Sequence, residues 1–218
     1  MSGVFDRALT GAECWIRAGD GTRRALPTRR WLNSSDSADR RADTALTREC
    51  DGPTIDLGCG PGRLVATLLR RGVIALGVDI SATAVAITRG RGAPALQRDL
   101  FGPLPGAGRW SYALLADGNI GIGADPDRLL RRVGELLASD GVAVIEFDRP
   151  GSGMVTQRIR VETATSAGPW FSWTRVGVEY AEPLAGAAGF RVRTTVEVAG
   201  RHIAWLDRDR TTAAAALA

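Results

Sequence analysis

The chain contains no lysine, so all 28 of its basic residues are arginine. Against 24 acidic residues they leave a formal net charge of +4. The arginines are spread along the chain, whereas proteins that follow a nucleic-acid backbone carry dense basic stripes. The spread argues against a dedicated nucleic-acid partner. The exclusive use of arginine, beside abundant alanine and glycine, indicates a GC-rich coding sequence.

Cysteine and long apolar runs are also scarce. Cys14, Cys50 and Cys59 lack the CxxC spacing of zinc sites, and their odd number argues against a disulfide framework. No apolar run approaches the ~20 residues of a membrane-spanning helix, and the first residues lack the pattern of a secretory signal. We therefore expect reduced thiols, no membrane partner and a cytoplasmic location.

Apolar strand-like runs alternate with helix-like segments from Thr54 onward. These runs are TIDL, VIALGVD, APALQRD, SYALLAD and VAVIEFD. Strands this apolar are covered on both faces, and βαβ repetition predicts a parallel sheet. A helix is predicted over DPDRLLRRVGELLASDG, with Leu136 and Leu137 on its buried face. The segment FRVRTTVEVAGRHIAWLD predicts two further strands that meet at Ala199 and Gly200.

The segments outside this alternation predict additional parts. Residues 1–50 predict an N-terminal cap over the active site, made of a short helix, a hairpin and a helix capped by Ser35 or Asp36. Residues 51–210 are expected to form the main domain, in which residues at about 149–174 predict an inserted pair of strands on the substrate side. Residues 211–218 predict a disordered tail.

Three alternate glycines follow the first strand, in TIDLGCGPGRL. Gly58, Gly60 and Gly62 would let the main chain approach a ligand closely at the start of a helix, where free amides favour an anionic group. A dinucleotide binder needs the spacing G-x-G-x-x-G, but Arg63 stands at the third glycine position. Asp56 favours a ligand with an ammonium group.

Acidic residues also end the next two strands. Asp79 can accept hydrogen bonds from both hydroxyls of a ribose. Asp99 and Leu100 provide an acceptor and an apolar side chain for an adenine amine and ring. The pattern therefore predicts one ligand with a zwitterionic end, a ribose and an adenine, but no phosphates.

These motifs resemble those of class I S-adenosylmethionine-dependent methyltransferases over residues 54–148. The matching segments are IDLGCGPGRL, ALGVDIS, LQRDLF, YALLADGNIG and DPDRLLRRVGELLASDGVAVIEFD. The resemblance implies a Rossmann-like doubly wound α/β fold with a seven-stranded, mostly parallel sheet and an antiparallel C-terminal hairpin. It implies S-adenosyl-L-methionine as cofactor and S-adenosyl-L-homocysteine as product. The cofactor-binding residues expected from the motifs are Asp56, Gly58, Cys59, Gly60, Gly62, Asp79, Ile80, Asp99, Leu100 and Asp117.

The expected reaction is an in-line displacement onto a small-molecule acceptor, in bacterial secondary or cofactor metabolism. A hydroxyl acceptor needs a general base, and Asp117 and His202 are the catalytic candidates. No metal is expected. Trp31, Asn119, Trp170 and Trp173 are the predicted substrate-binding residues.

The choice of a small-molecule acceptor depends on absent motifs. Enzymes that methylate exocyclic amines of bases carry an Asn/Asp-Pro-Pro-aromatic run after the fourth strand, and this chain has ADGNIG there. It also lacks the Pro-Cys pair of RNA cytosine-C5 enzymes. An RNA or protein methyltransferase, a non-catalytic cofactor-binding partner subunit and a nicotinamide dehydrogenase remain as alternatives. The oligomeric state is expected to be monomer or homodimer.

Overall fold

The computed structural model describes residues 5–32 and 36–209. Its helices are α1 (Asp6–Leu9), α2 (Thr28–Leu32), α3 (Ser37–Thr47), α4 (Arg63–Arg70), α5 (Ala82–Gly90), α6 (Pro126–Leu136) and α7 (Ala181–Ala187). Its strands are β1 (Trp15–Ala18), β2 (Arg23–Ala25), β3 (Thr54–Leu57), β4 (Ala75–Asp79), β5 (Ala95–Gln97), β6 (Trp110–Leu115), β7 (Leu137–Phe147), β8 (Met154–Glu162), β9 (Phe171–Val176), β10 (Phe190–Val198) and β11 (Arg201–Arg208). Among the described helices, none is both long and apolar enough to cross a membrane.

Seven strands form a large sheet in the order β10-β11-β7-β6-β3-β4-β5. β11 runs antiparallel to β7 and β10, and the other neighbours are parallel. The predicted Rossmann-like doubly wound fold with an antiparallel C-terminal hairpin is confirmed. The strand order reverses between β3 and β6, and in open α/β sheets ligands bind beyond the carboxyl ends of the strands at such a point.

Helices cover both faces of the large sheet. Ile55 and Leu57 of β3 face an apolar core that includes Leu129 and Leu136 of α6. On the opposite face, Leu64 and other α4 residues pack with residues of β6, β7 and β11. Asp56 lies between Ile55 and Leu57 in β3. Because neighbouring strand residues point to opposite faces, its side chain lies on the α4 side of the sheet. Helices therefore pack on both faces of the sheet near the edge where the β3–α4 turn begins.

A second sheet has four strands in the order β2-β1-β8-β9. β1 and β2 pair where the N-terminal hairpin was predicted, and β8 and β9 pair in the predicted inserted segment. The two pairs join through β1 and β8, where Trp15 lies opposite Glu162 and Ala18 opposite Ile159. A small apolar cluster that includes Leu26 and Phe171 lies beneath this sheet. Two segments distant in sequence therefore make one structure.

Other predicted boundaries can be compared with the structure. Asp36 caps α3 by accepting a hydrogen bond from the Ala38 amide at 2.8 Å; Ser35 and residues 211–218 lie outside the described residues. The prediction that helix α6 continues through Leu137 is wrong. Leu137 has extended backbone angles (φ −75°, ψ 147°) and pairs with Trp110, so it begins β7. It is buried as predicted, but in the sheet.

Candidate functional site

A cavity of about 1000 Å³ lies at the carboxyl edge of the parallel strands. One wall is formed by the turns that follow β3, β4, β5 and β6, and the other by α1, α2 and the four-stranded sheet. The carboxyl ends of parallel strands commonly hold ligands in this fold. The cavity therefore lies where the glycine motif predicted a site.

The β3–α4 turn presents main chain to this cavity. Gly58, Gly60 and Gly62 all have positive φ, at 75°, 53° and 76°. A Cβ at Gly58 would lie 2.6 Å from Asn119 Nδ2, and a Cβ at Gly62 would overlap the Thr88 side chain. A Cβ at Gly60 would meet no heavy atom within 4 Å. Gly60, which lines the cavity, thus faces open space with bare main chain, as a closely approaching ligand requires.

Asp79 and Ile80 lie beside the glycine turn. Asp79 Oδ2 accepts from the Gly60 amide at 2.9 Å and Oδ1 accepts from the Ser81 amide at 2.8 Å. Burial raises the pKa of Asp79, although these amide bonds oppose the shift. Each carboxylate oxygen can accept a second hydrogen bond, and Ile80 lines the cavity with 40% of its surface exposed. Both side chains are therefore available to a ligand.

The segment after β5 supplies the next part of the wall. Asp99 is exposed and accepts from the Phe101 amide at 3.0 Å, whereas Leu100 is buried. Both line the cavity, as do Cys59 and Asn119. The Asn119 side chain donates to the carbonyl of Gly58 at 2.8 Å, so it fixes the glycine turn in place.

Asp56 lies beneath the glycine turn and does not line the cavity. It is 2% exposed, and Oδ1 has no hydrogen-bond partner in the described part of the chain. Desolvation by burial raises the pKa of Asp56 to about 7, although Arg63 opposes this shift. The acid of the motif is therefore a buried carboxyl group with an unmet hydrogen-bonding capacity.

Six charged side chains form an ionic cluster at the floor of the cavity, and we use this name for Arg30, Asp43, Arg63, Asp117, Glu146 and Arg201. Arg201 of β11 makes two hydrogen bonds to Glu146 of β7, one of them 2.7 Å long, and a further bond of 3.0 Å to Asp43 of α3. Burial alone would raise the pKa of Glu146, but its bonds with Arg201 hold this pKa below its usual value. Asp43, Glu146 and Arg201 are buried, the other three members are partly exposed, and the six charges balance.

Asp117 occupies the centre of the ionic cluster. Its carboxylate lies 2.9 Å from Arg30 Nη2, 2.9 Å from Arg63 Nη2 and 3.3 Å from Arg201 Nη2. Its backbone adopts a positive φ of 58°, and its amide donates to Glu146 Oε2 at 2.6 Å. Positive φ is costly for a residue other than glycine, so the surrounding contacts must hold this conformation.

Aromatic side chains line the side of the cavity under the four-stranded sheet. Phe5 contacts Trp31 and Phe171 edge to face, with ring centroids 6.1 Å apart in both pairs, and Phe171 contacts Trp173 at 6.3 Å. These four rings line the cavity. Trp170 does not line it, because it lies against the guanidinium of Arg160, 4.7 Å from the ring centroid.

Two other predicted site residues lie outside the cavity wall. Gly62 packs against Thr88, and His202 is on β11 opposite Phe147 and Glu197. Arg201 points into the ionic cluster, and neighbouring strand residues point to opposite faces, so His202 points away from it. In the described ranges, no group of three or more His, Cys, Asp or Glu residues is arranged to hold a metal ion.

Of the ionic cluster, only Asp117 was predicted from the sequence as a site residue. The five members that were missed are Arg30, Asp43, Arg63, Glu146 and Arg201. One signal for Arg201 was present in the sequence. Every second residue of β11 lies on the same face, and Ile203 and Trp205 are buried on that face, so the same spacing places Arg201 there as well. A buried arginine requires acidic partners. Nothing in the sequence indicated which acids these would be.

Comparisons with known proteins agree with this geometry. Residues 29–195 match a family model described as a methyltransferase domain. A trans-aconitate 2-methyltransferase from Mycolicibacterium gilvum is 31% identical over 142 residues, which cover 62% of this chain and 53% of that protein. The match therefore spans about half the length of that relative.

Solved structures show the same fold. A SAM-dependent methyltransferase from Bacteroides fragilis, in complex with S-adenosyl-L-homocysteine, superposes with a TM-score of 0.75 at 19% identity, covering 94% of this chain and 93% of that one. The 1,6-didemethyltoxoflavin-N1-methyltransferase of Burkholderia thailandensis has a TM-score of 0.61 at 18% identity, with 81% and 80% covered.

Proposed function

Because the chain belongs to the methyltransferase domain family, we propose that it transfers a methyl group from S-adenosyl-L-methionine, the methyl donor of that family, to a small-molecule acceptor. The observation that carries this proposal is the open space at Gly60. Bare main chain with positive φ faces the cavity there, next to a carboxylate and an exposed isoleucine. The residues present therefore fit the cofactor.

Each part of the cofactor has a partner on the cavity wall. Asp79 would accept hydrogen bonds from the ribose hydroxyls. Ile80 and Leu100 would contact the adenine ring, and Asp99 would accept a hydrogen bond from the adenine amine. The main chain at Gly58 and Gly60 would hold the amino-acid end. When bound, the cofactor supplies an electrophilic sulfonium methyl group. Transfer of this methyl group depends more on its alignment with the acceptor atom and on the exclusion of water than on a proton transfer.

We assign the remaining residues to alignment and to the exclusion of water. Three guanidinium groups hold the Asp117 carboxylate. This arrangement favours a role in positioning Arg30 and Arg201 over a role as a general base. The rings of Trp31 and Trp173, together with Asn119, would contact the acceptor, and His202 and Trp170 receive no role in this proposal.

We also propose that the N-terminal hairpin and the inserted strands act together as the substrate cover. Their shared sheet lies over the cavity, and its apolar face carries Phe171 and Trp173. The substrates named for two similar proteins support a small-molecule acceptor, because trans-aconitate and 1,6-didemethyltoxoflavin are small molecules. The predicted nicotinamide alternative is disfavoured by Arg63, whose side chain is engaged in the ionic cluster.

Calorimetric titration tests the proposal. S-adenosyl-L-homocysteine should bind the wild-type protein and NAD should not. Asp79→Ala should weaken the binding at least ~100-fold, since each hydrogen bond to a charged group contributes about 1.5–3 kcal/mol. Asp140→Ala, an exposed acid outside the cavity, is the matched control and should bind normally. Binding of NAD in place of S-adenosyl-L-homocysteine would overturn the proposal.

A further inference from the structure

The charges around the cavity are not balanced. In the described part of the chain, eight arginines but only five acidic residues line it. S-adenosyl-L-methionine has a formal charge of +1 at neutral pH, so cofactor binding would increase the positive excess. Electrostatic complementarity then disfavours a cationic acceptor and favours an anionic one.

Two of the eight arginines have side chains without a partner among the described residues. The ionic cluster engages three others, Arg175 bonds Asp148 at 3.1 Å, and Arg128 lies over the Phe101 ring. Arg98 donates to the carbonyl of Gln97. Arg24 of β2 and Arg149, which follows β7, remain exposed to the cavity. Their guanidinium groups are free to bind an anion.

The cavity wall also lacks a group suited to deprotonate an acceptor. No histidine, tyrosine or lysine lines it in the described ranges, and burial raises the pKa of the Cys59 thiol well above its ordinary value. Of the five acids on the wall, three are held by arginines, namely Asp117, Glu146 and Asp148. The other two, Asp79 and Asp99, are assigned to the cofactor in the proposed function. An acceptor hydroxyl usually needs a base, whereas a carboxylate is already nucleophilic at neutral pH.

We infer that the acceptor is the carboxylate of a small organic acid with an apolar body, bound by Arg24 and Arg149 and converted to its methyl ester. The inference rests on the proposed function. A carboxylate oxygen forms the new bond to the methyl carbon while the carbon–sulfur bond breaks, and the electron pair of that bond stays on sulfur. The products are a neutral ester and a neutral thioether, and no proton is transferred. The apolar body would lie against Ile16, Trp31 and Trp173.

The class of product can be tested before the acceptor is known. The protein is incubated with methyl-labelled S-adenosyl-L-methionine and a protein-free extract of small metabolites from the organism that encodes it. Mild alkali hydrolyses methyl esters, so the label should be released as volatile methanol. Label that survives alkali would overturn the inference while leaving the proposed function intact. Absence of any labelled product would contradict the proposed function as well.

Variants then test the two arginines on the acid identified from the labelled product. Arg149→Gln and Arg24→Gln should each weaken binding of this acid to the protein loaded with S-adenosyl-L-homocysteine roughly tenfold or more, because each removes a charge-assisted hydrogen bond. Arg131→Gln removes the same charge from an exposed position outside the cavity and should bind the acid normally. Affinity for S-adenosyl-L-homocysteine should be equal in all three variants. Equal acid affinity in Arg149→Gln, Arg24→Gln and Arg131→Gln would contradict the assignment.

Discussion

The two sheets of this molecule contribute to one cavity in different ways. The large sheet contributes one wall of the cavity through its strand-to-helix turns. In the β3–α4 turn, the end of the strand, the glycines and the start of the helix lie within a dozen residues. The small sheet forms its wall only after β1 has paired with β8, where partners such as Trp15 and Glu162 are far apart in the sequence. The wall that we propose for the cofactor is thus encoded locally, whereas the proposed substrate cover is encoded by long-range pairing.

The largest expected effect concerns the ionic cluster within the large sheet. Arg201→Met should lower the free energy of unfolding by about 3–5 kcal/mol, because it leaves Glu146 as a buried charge without its cation and removes one of two arginines that contact Asp43. Arg30→Met removes an arginine that reaches the same cluster from α2, beside the small sheet, and is 22% exposed, so it should cost less. Urea denaturation measures both. A cost for Arg30→Met equal to that for Arg201→Met would show that the cluster depends on both regions alike.

The glycine turn should tolerate substitution less well than other positive-φ sites. Gly62 and Gly72 flank α4 with nearly equal φ, 76° and 77°. Gly62→Ala adds an overlap with Thr88 to the strain of positive φ and should lower the free energy of unfolding by about 3 kcal/mol. Gly72→Ala meets open space and should cost only about 1 kcal/mol. Similar losses in the two variants would mean that helix–turn packing at Gly62 contributes little.

Asp56 gives the large sheet a pH dependence. Burial raises the pKa of Asp56 to about 7 in the folded protein, above the usual range of an aspartate, so the folded state binds the proton more tightly than the unfolded state. The contribution of Asp56 to the free energy of unfolding therefore decreases as pH rises from about 4 to about 7, and it is constant above pH 7. Between pH 5 and pH 8 this amounts to roughly 2–3 kcal/mol. Asp56→Asn should remove that decrease in urea denaturation. An unchanged pH profile would contradict the shift.

The smallest expected effect is a difference between Trp170 and Trp173, which the sequence did not distinguish. Both Trp170 and Trp173 were predicted to contact the acceptor, but only Trp173 lines the cavity. Trp173→Ala should raise KM for the acceptor about tenfold, the equivalent of about 1.4 kcal/mol, without a change in affinity for S-adenosyl-L-homocysteine. Trp170→Ala should leave both quantities nearly unchanged. The reverse order of effects on KM would place the substrate on the outer face of the small sheet.

These contrasts explain which parts of the site were predictable. The glycines and Asp79 belong to one βαβ unit, whose spacing alone places them together. Arg201 and Glu146 become neighbours only through the register of β11 on β7. The predicted base His202 is one position away from Arg201, and a one-residue step along a strand moves a side chain to the other face. Without the register, the sequence identified β11 as important but not which of its residues faces the site.

The most direct test of the account is a crystal structure of the protein grown with S-adenosyl-L-homocysteine. We expect the ribose hydroxyls on Asp79, the adenine between Ile80 and Leu100, and the amino-acid end on the main chain at Gly58 and Gly60. The small sheet should lie over the sulfur, with Trp173 facing it. A ligand bound elsewhere, or a crevice that stays empty at saturating ligand, would contradict it.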